Sequence, residues 1–336
     1  MVRKINKRSS VDNVQRGSAG AILLILLLFF VVVLMGLYFV YQNIPGTPVS
    51  LNPIVLKAPV IQNQTYSDVN QFYPSMKFNH NRISYFIDPL CEDVKRERMI
   101  EAFNELSSKV DVIEFYEVSS SEDIKISCSG EEKNGENEEY FIAGEGGAKE
   151  IIQTKRYNVI NEGVVILHGN PHGFLKCDWA NVELHELIHV FGFEHSENPK
   201  SLMYKYLEDC EQKLDESIIN ELKSLYSEEN LADLYFDELV AVKKRRYLDF
   251  NFTVKNSGSI DAEGAKFSVF DEGELIETFD LKDKEGKIKY GAGIILSIEN
   301  LKLKHSNPDE IKFVIDYDNS IKEFDEENNV AVISFE

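Results

Sequence analysis

The sequence predicts an α+β domain, built as a twisted five-stranded sheet with three helices, followed by an antiparallel β-sandwich and preceded by one transmembrane helix. Three observations lead there: an uncharged apolar run near the N-terminus, mixed strand- and helix-period spacing over residues 76–228, and alternation of apolar with polar residues from residue 229 onward. A chain of 336 residues has room for about two ordinary domains.

The first element, residues 20–41, reads GAILLILLLFFVVVLMGLYFVY without a single charge. As a helix it measures roughly 33 Å, enough to cross a bilayer core. Arg3, Lys4, Lys7, Arg8 and Arg16 precede it against only Asp12, a local charge of +4. The positive-inside rule therefore expects a cytoplasmic tail at 1–19, a signal anchor at 20–41 and everything later outside the cytoplasm. The run is longer than a signal-peptide core, and no small-x-small cleavage site follows before Pro45. Residues 42–75 hold Pro45, Pro48, Pro53 and Pro59 among Asn, Gln, Ser and Thr, and read as a stiff, extended linker. Residues 63–65 and 251–253 are N-glycosylation sequons.

Charge excludes one class of partner. Thirty-six Lys+Arg against 57 Asp+Glu give a net charge of -21, and the chain beyond the basic tail carries -25. Such a surface repels phosphate backbones, so nucleic acid is not an expected partner. The four cysteines, Cys91, Cys128, Cys177 and Cys210, form no C-x-x-C pair and would sit in a compartment that permits disulfides. They read as staples.

In the α+β part, strands are expected at 83–87, 112–118, 123–127, 150–153 and 163–168. A helix over 94–110 places Met99, Ala102, Phe103 and Leu106 on one face. Two more helices follow at 181–191 and 216–226, and the acidic, Asn- and Gly-rich stretch 130–139 reads as a solvated loop. Beyond residue 229, alternation at Phe250, Phe252 and Val254, at Phe267 and Val269, and at Phe313, Ile315 and Tyr317 is separated by turn signals at Gly258, Gly273 and Gly286. That spacing argues for a sandwich.

The chemistry concentrates in one stretch. His185 and His189 stand four apart, so on a helix both imidazoles leave the same face, within reach of one zinc ion at about 2.0–2.1 Å. Gly192 ends the helix with a residue that turns sharply, and His195 returns as a third ligand. Three protein nitrogens leave the fourth tetrahedral position to water, the pattern of a catalytic zinc site. Glu186 is then placed to act as general base toward a metal-activated water that attacks a carbonyl.

From His185 to Tyr206 the sequence HELIHVFGFEHSENPKSLMYKY resembles the metzincin metalloproteases and, within them, the matrixin branch. The resemblance rests on HExxHxxGxxH, on Ser196, on Pro199 and on Ser201-Leu202-Met203-Tyr204. It implies a zinc endopeptidase with protein or peptide substrates, Met203 in a Met-turn beneath the metal, and Tyr204 and Tyr206 at the cleft wall. No cysteine-switch propeptide is visible, and His168 and His172 lack the spacing of the extra structural zinc of animal matrixins. Cys177 precedes the zinc helix and Cys210 follows the Met-turn, so a 177–210 bridge is expected to clamp the active-site reversal, leaving Cys91 to meet Cys128.

The C-terminal part, with Asn256-Ser257-Gly258 and the ending IKEFDEENN at 321–329, resembles the Ig-like cell-adhesion-related (CARDB) domain of prokaryotic surface proteins. It implies a cell-surface partner. Asp316, Asp318, Asp325 and Glu326 offer a weak Ca²⁺ site there. The resemblances together imply a membrane-anchored, extracytoplasmic zinc endopeptidase. The competing reading is a non-catalytic adhesion protein with a zinc-bearing module.

Overall fold

The computed structural model of the chain describes residues 16–51, 54–55, 70–131, 133–134, 141–169, 180–207 and 210–335. Most of the basic tail, the sequon at 63–65, most of the loop at 130–139, His172 and Cys177 lie outside the described residues. A run with no polar face makes a helix that, apart from its last turn, the protein leaves unburied. Within α1 (Arg16–Asn43), the span Gly20–Asn43 has mean hydropathy 3.2 and none of it is buried. At about 1.5 Å per residue it is long enough to cross a membrane, and it is a candidate membrane anchor or signal sequence.

Two short strands follow, β1 (Val49–Leu51) and β2 (Ile54–Val55), and then the α+β domain. Its elements are β3 (Met76–Lys77), β4 (Arg82–Ile87), α2 (Asp93–Val110), β5 (Glu114–Glu117), β6 (Ile124–Cys128), β7 (Lys133–Asn134), β8 (Phe141–Ile142), β9 (Gly144–Gln153), β10 (Asn158–Leu167), α3 (Asn181–Val190) and α4 (Glu216–Ser227). The main sheet runs β3-β10-β6-β4-β5, all parallel, with β9 antiparallel along the other edge of β10. It therefore has six strands where five are expected. Met76–Lys77 is too short to show a period. β9 starts ahead of the expected strand because the glycines at 144, 146 and 147 give no apolar alternation to read.

Parallel neighbours need crossovers, and α2 supplies one between β4 and β5. Its buried stripe of Met99, Ala102, Phe103, Leu106 and Val110 follows helical spacing, and the helix ends where Asp111 turns to φ 58° and its N–H bonds Ser107 O at 2.8 Å. Phe103 stacks on Tyr85 with ring centroids 4.1 Å apart. Cys91, just after β4, is joined to Cys128 at the end of the adjacent β6, with Cα atoms 5.1 Å apart. Closing that 37-residue separation removes unfolded-state freedom worth roughly 4 kcal/mol in the chain-entropy picture. Lys77 is wholly buried, donating to Leu225 O at 2.7 Å in the last turn of α4, where the helix dipole welcomes a cation.

The second part contains β11 (Leu234–Lys244), β12 (Tyr247–Asn256), β13 (Ala262–Glu263), β14 (Lys266–Asp271), β15 (Glu274–Asp280), β16 (Lys287–Ile288), β17 (Gly293–Lys302), β18 (Glu310–Ile315) and β19 (Val330–Ser334). They form two antiparallel sheets, β1-β11-β12-β17 and β15-β14-β18-β19-β2, beside a small β13-β16 pair. Along β12 the inward residues Leu248, Phe250, Phe252 and Val254 are buried as period two demands. The centre is aromatic: Phe252 stacks on Phe267 at 4.2 Å, and Phe313 lies 5.4 Å from Phe250.

Part of the expected linker is built into the sandwich. β1 pairs with β11 and β2 with β19, so residues from within 42–75 extend both sheets of the sandwich. The reason is the unpaired N–H and C=O row that each sheet edge would otherwise present. The turn between β9 and β10 also reaches the sandwich: the Arg156 guanidinium lies 4.1 Å from the Phe324 ring, and the Tyr157 ring 5.7 Å from it.

Phe313→Ala is expected to cost about 3–5 kcal/mol by opening a cavity among these rings. Denaturant unfolding followed by circular dichroism reads this directly. A loss under about 1 kcal/mol would show that the aromatic cluster does not hold the sandwich.

Candidate metal centre

The site grows from the end of α3. His185 and His189 leave one face of that helix, which stops at Phe191. Gly192 then takes φ +87°, its N–H bonding His189 O at 2.9 Å, and a Cβ there would stand 2.2 Å from Met76 Sδ. Only glycine turns the chain this tightly against the sheet. The reversal is pinned from outside by residues with no sequence signal of their own. Gln71 donates to Phe191 O at 2.8 Å, Phe72 N to Gly192 O at 3.0 Å, and Glu194 N to Asn70 O at 3.0 Å.

His195 is thereby returned to the other two. The three Nε2 atoms lie 3.1 Å (185–189), 3.2 Å (189–195) and 3.3 Å (185–195) apart. Their protonation follows from what lies behind them. His185 Nδ1 donates to Leu202 O and His189 Nδ1 to Phe193 O, each at 2.7 Å. A carbonyl only accepts, so both protons sit on Nδ1 and both Nε2 atoms present lone pairs. Burial, with the neighbouring His189 adding to it, pushes the His185 pKa down to about 3, and burial pushes that of His189 down to about 4. Burial, then Lys205, lowers His195 as well. All three are therefore neutral imidazoles at pH 7, the form that binds a metal.

Converging lone pairs repel one another, and a cation relieves them. Three nitrogens at about 2.0–2.1 Å from a tetrahedral ion stand about 3.3–3.4 Å apart, close to the separations found. The donor set thus fits a zinc-type ion, with backbone carbonyls orienting two of the imidazoles from behind.

Glu186 faces the edge strand β9. It is 8% exposed, and burial, helped by the charge of Glu145, pushes its carboxyl up to about 8. The strand can approach because it is glycine there: a Cβ on Gly146 would lie 2.0 Å from the Glu186 carbonyl oxygen, and one on Gly144 2.6 Å from its Cγ. A glycine run inside a strand was the available signal for this contact. Glu145 itself is held below the usual carboxylate range by hydrogen bonds, Lys133 first and then His168. His168 is thus a partner of β9 at 2.9 Å.

Beneath the imidazoles, residues 201–204 form the turn that offers Leu202 O to His185. Met203 is fully buried, its N–H accepted by Ser201 Oγ at 3.0 Å, while its carbonyl takes Ser196 N at 2.7 Å. Ser201 Oγ in turn donates to Asp215. Tyr204 and Tyr206 stand edge to face at 5.8 Å. Beside the histidines opens a cleft of about 390 Å³ lined by Phe72, His189, Phe193, Glu194 and His195. A second, about 610 Å³, is rimmed by Glu194, Glu197, Asp215 and Glu216 next to His195.

One sequence expectation falls partly outside the described residues, and another comes out differently. The second bridge involves Cys177, outside the described residues; Cys210 is disulfide-bonded. Of the four acidic residues offered for calcium, Asp318 is drawn away to Lys266 at 3.2 Å, and Asp325 caps Glu327 N at 3.0 Å. Asp316 and Glu326 do meet, with Glu323 as the third member.

Two family models match the chain. Residues 77–227 match the family model described as Matrixin, and residues 232–332 the one described as CARDB. The first points to a zinc-binding metallopeptidase-type hydrolase, the second to a cell-surface domain. No curated protein matches the chain. Similar solved structures include the CARDB domain of a Pyrococcus furiosus protein, crystallised in complex with di-metal ions, at 19% identity (31% of this chain, 85% of that one, TM-score 0.23). Its solution structure gives 19% identity, 31% and 93% coverage and TM-score 0.24. A domain of a Methanosarcina acetivorans protein gives 16% identity, 32% and 93% coverage and TM-score 0.25.

Gly192→Ala is expected to destabilise the protein by about 1–3 kcal/mol, from left-handed strain plus displacement of Met76. Zinc stoichiometry should fall with it as His195 loses its place. Thermal unfolding together with metal analysis tests this, and unchanged values in both would refute the pinning of the reversal.

Proposed function

From the pairing of a matrixin-like domain with a CARDB domain, we propose a membrane-anchored, extracytoplasmic zinc endopeptidase. The observation that carries the reading is the trio of neutral imidazoles whose lone pairs converge within 3.3 Å, beside a buried glutamate. The proposed organisation is a cytoplasmic tail at 1–19, a signal anchor at 20–41, a linker at 42–75, the catalytic domain at 76–228 and the sandwich at 229–336. The +4 tail ahead of an apolar helix supports that orientation.

His185, His189 and His195 would hold the metal, which when bound supplies Lewis-acid polarisation of the scissile carbonyl and acidifies water. Leu202 O and Phe193 O keep two of those imidazoles in the tautomer that ligates. Glu186, kept as the carboxylate by the positive charge that a bound metal would place nearby, takes a proton from water onto one oxygen as the water oxygen bonds the carbonyl carbon. It then passes that proton to the amine nitrogen as the C–N bond breaks. Met203 packs under the trio, and Tyr204 and Tyr206 form the wall on which the residue after the scissile bond rests. Extended substrate would run along β9, whose outer edge pairs with no other strand among the described residues. The Cys91–Cys128 and Cys177–Cys210 bridges would brace the sheet and the turn beyond the site.

The sandwich is proposed to recruit a cell-surface partner or to orient the catalytic domain near the membrane. A purely adhesive protein has no need of a general base, and here the base is present, buried and next to the ligands.

The detergent-solubilised chain is expected to cleave a mixed peptide library, and to stop when zinc is chelated. Glu186→Ala should lose about 10²–10⁴-fold in kcat/KM while retaining the metal. Full activity in that variant would contradict the role of Glu186, and no cleavage by the metal-loaded wild type would favour the adhesive reading.

A further inference from the structure

We propose that the sandwich binds one divalent cation of the calcium class between Asp316, Glu323 and Glu326, with the side-chain carbonyl of Asn329 as a further oxygen ligand. The three carboxylates present oxygens that all lie within 4.8 Å of one another. Asp316 is 1% and Glu323 6% exposed, whereas Glu326 opens to solvent. Among the described residues, no Lys, Arg or His pairs with any of them. Two buried carboxylates side by side without a countercharge are costly, since burial removes the water that would stabilise them.

The cage is already organised. Asp316 Oδ1 accepts from Ser320 Oγ and Oδ2 from Ile321 N, both at 2.8 Å. Glu323 Oε2 accepts from Leu234 N, and Oε1 from Asn329 Nδ2 at 2.9 Å. Glu326 Oε1 takes Glu323 N at 3.1 Å. Asn329 supplies the separate observation. It is 2% exposed, and its Oδ1 has no hydrogen-bond partner. That oxygen shares an amide with the nitrogen touching Glu323, about 2.2 Å from it, which places a buried and unsatisfied acceptor at the rim of the acidic trio. An acceptor among acceptors asks for a cation.

The donors choose the ion. All are oxygens, with no thiolate or imidazole to favour zinc. Ca²⁺ takes six to eight oxygens at about 2.3–2.6 Å in a flexible geometry, which carboxylate oxygens all within 4.8 Å of one another can share. Waters would complete the shell on the open side of Glu326. By contrast the group of Asp271, Glu272 and His305 already has its counterion, with His305 Nδ1 3.1 Å from Asp271.

Occupancy would fasten a junction. Glu323 holds Leu234 N, and Phe324 N bonds Ala232 O at 3.0 Å, which ties the loop to the start of the sandwich. Phe324 is also the residue that Arg156 and Tyr157 of the β9–β10 turn pack against. A cation here would stiffen the contact between the two domains.

The full chain in detergent, stripped by chelator and reloaded with one equivalent of Zn²⁺, is titrated with CaCl₂ by calorimetry and melted with and without Ca²⁺. One Ca²⁺ per chain is expected, with a Kd of about 10⁻⁴–10⁻³ M, the range of extracellular modules, and a rise in Tm. Glu326→Gln, at an exposed position that folding tolerates, should weaken binding at least tenfold, while Asp325→Asn should leave it unchanged. Absence of binding and of a Tm shift up to about 10 mM Ca²⁺, well above that range, would overturn the proposal. So would wild-type affinity in Glu326→Gln, or loss of binding in Asp271→Asn.

Discussion

The site depends on two hydrogen bonds behind the histidines. Leu202 O and Phe193 O each accept a hydrogen bond from an Nδ1–H, and this fixes which nitrogen of each ring carries the lone pair. Without them the imidazoles are free to place protons on the inward nitrogens, and three donors cannot share one ion. With them, two of the three Nε2 atoms that meet within 3.3 Å have their lone pairs turned inward. Burial disfavours protonation of the rings, so they stay in the neutral form that binds a metal. The protein thus supports a set of metal-binding nitrogens with backbone carbonyls.

Those backbone atoms are in turn placed by packing at some distance. Leu202 belongs to a turn held by Ser201, Asp215 and Ser196. Phe193 follows the Gly192 reversal, itself bracketed by the segment at 70–72. The sheet presses from the other side, where glycines in β9 let the strand lie against Glu186. Helix, turn and edge strand therefore meet at one point. Each contributes a contact that a single added methyl group would obstruct, which is why glycine recurs at 144, 146 and 192.

The sandwich is more than an appendage. It completes its sheets with two strands from the stretch after the membrane helix, and it meets the other domain through Phe324, Arg156 and Tyr157. Arg245 donates to Tyr41 O at 2.7 Å and lies 4.1 Å from the Tyr41 ring, so the end of α1 is also gripped. Among the described residues, the end of α1, the sandwich and the β9–β10 turn are joined by short contacts.

Sequence alone determined the parts that follow from local period and residue type. The apolar run, the stripe of α2, the alternation of β12 and the i, i+4 histidines with their terminating glycine each encode their structure within one or two turns of chain. The tertiary structure decided what needs distant residues to meet. The carbonyls behind the histidines are anonymous in sequence, since every residue has one. The closeness of β9 to Glu186 could be suspected only from a glycine run, and the strands at 49–51 and 54–55 only from knowing which sheet edges stood open. The same holds for Glu323, which joins Asp316 in place of Asp318: the order of carboxylates along a loop does not say which turn inward. Side-chain type and spacing fix what a segment can do by itself, whereas the burial that sets protonation and pairing depends on partners that only the folded chain supplies.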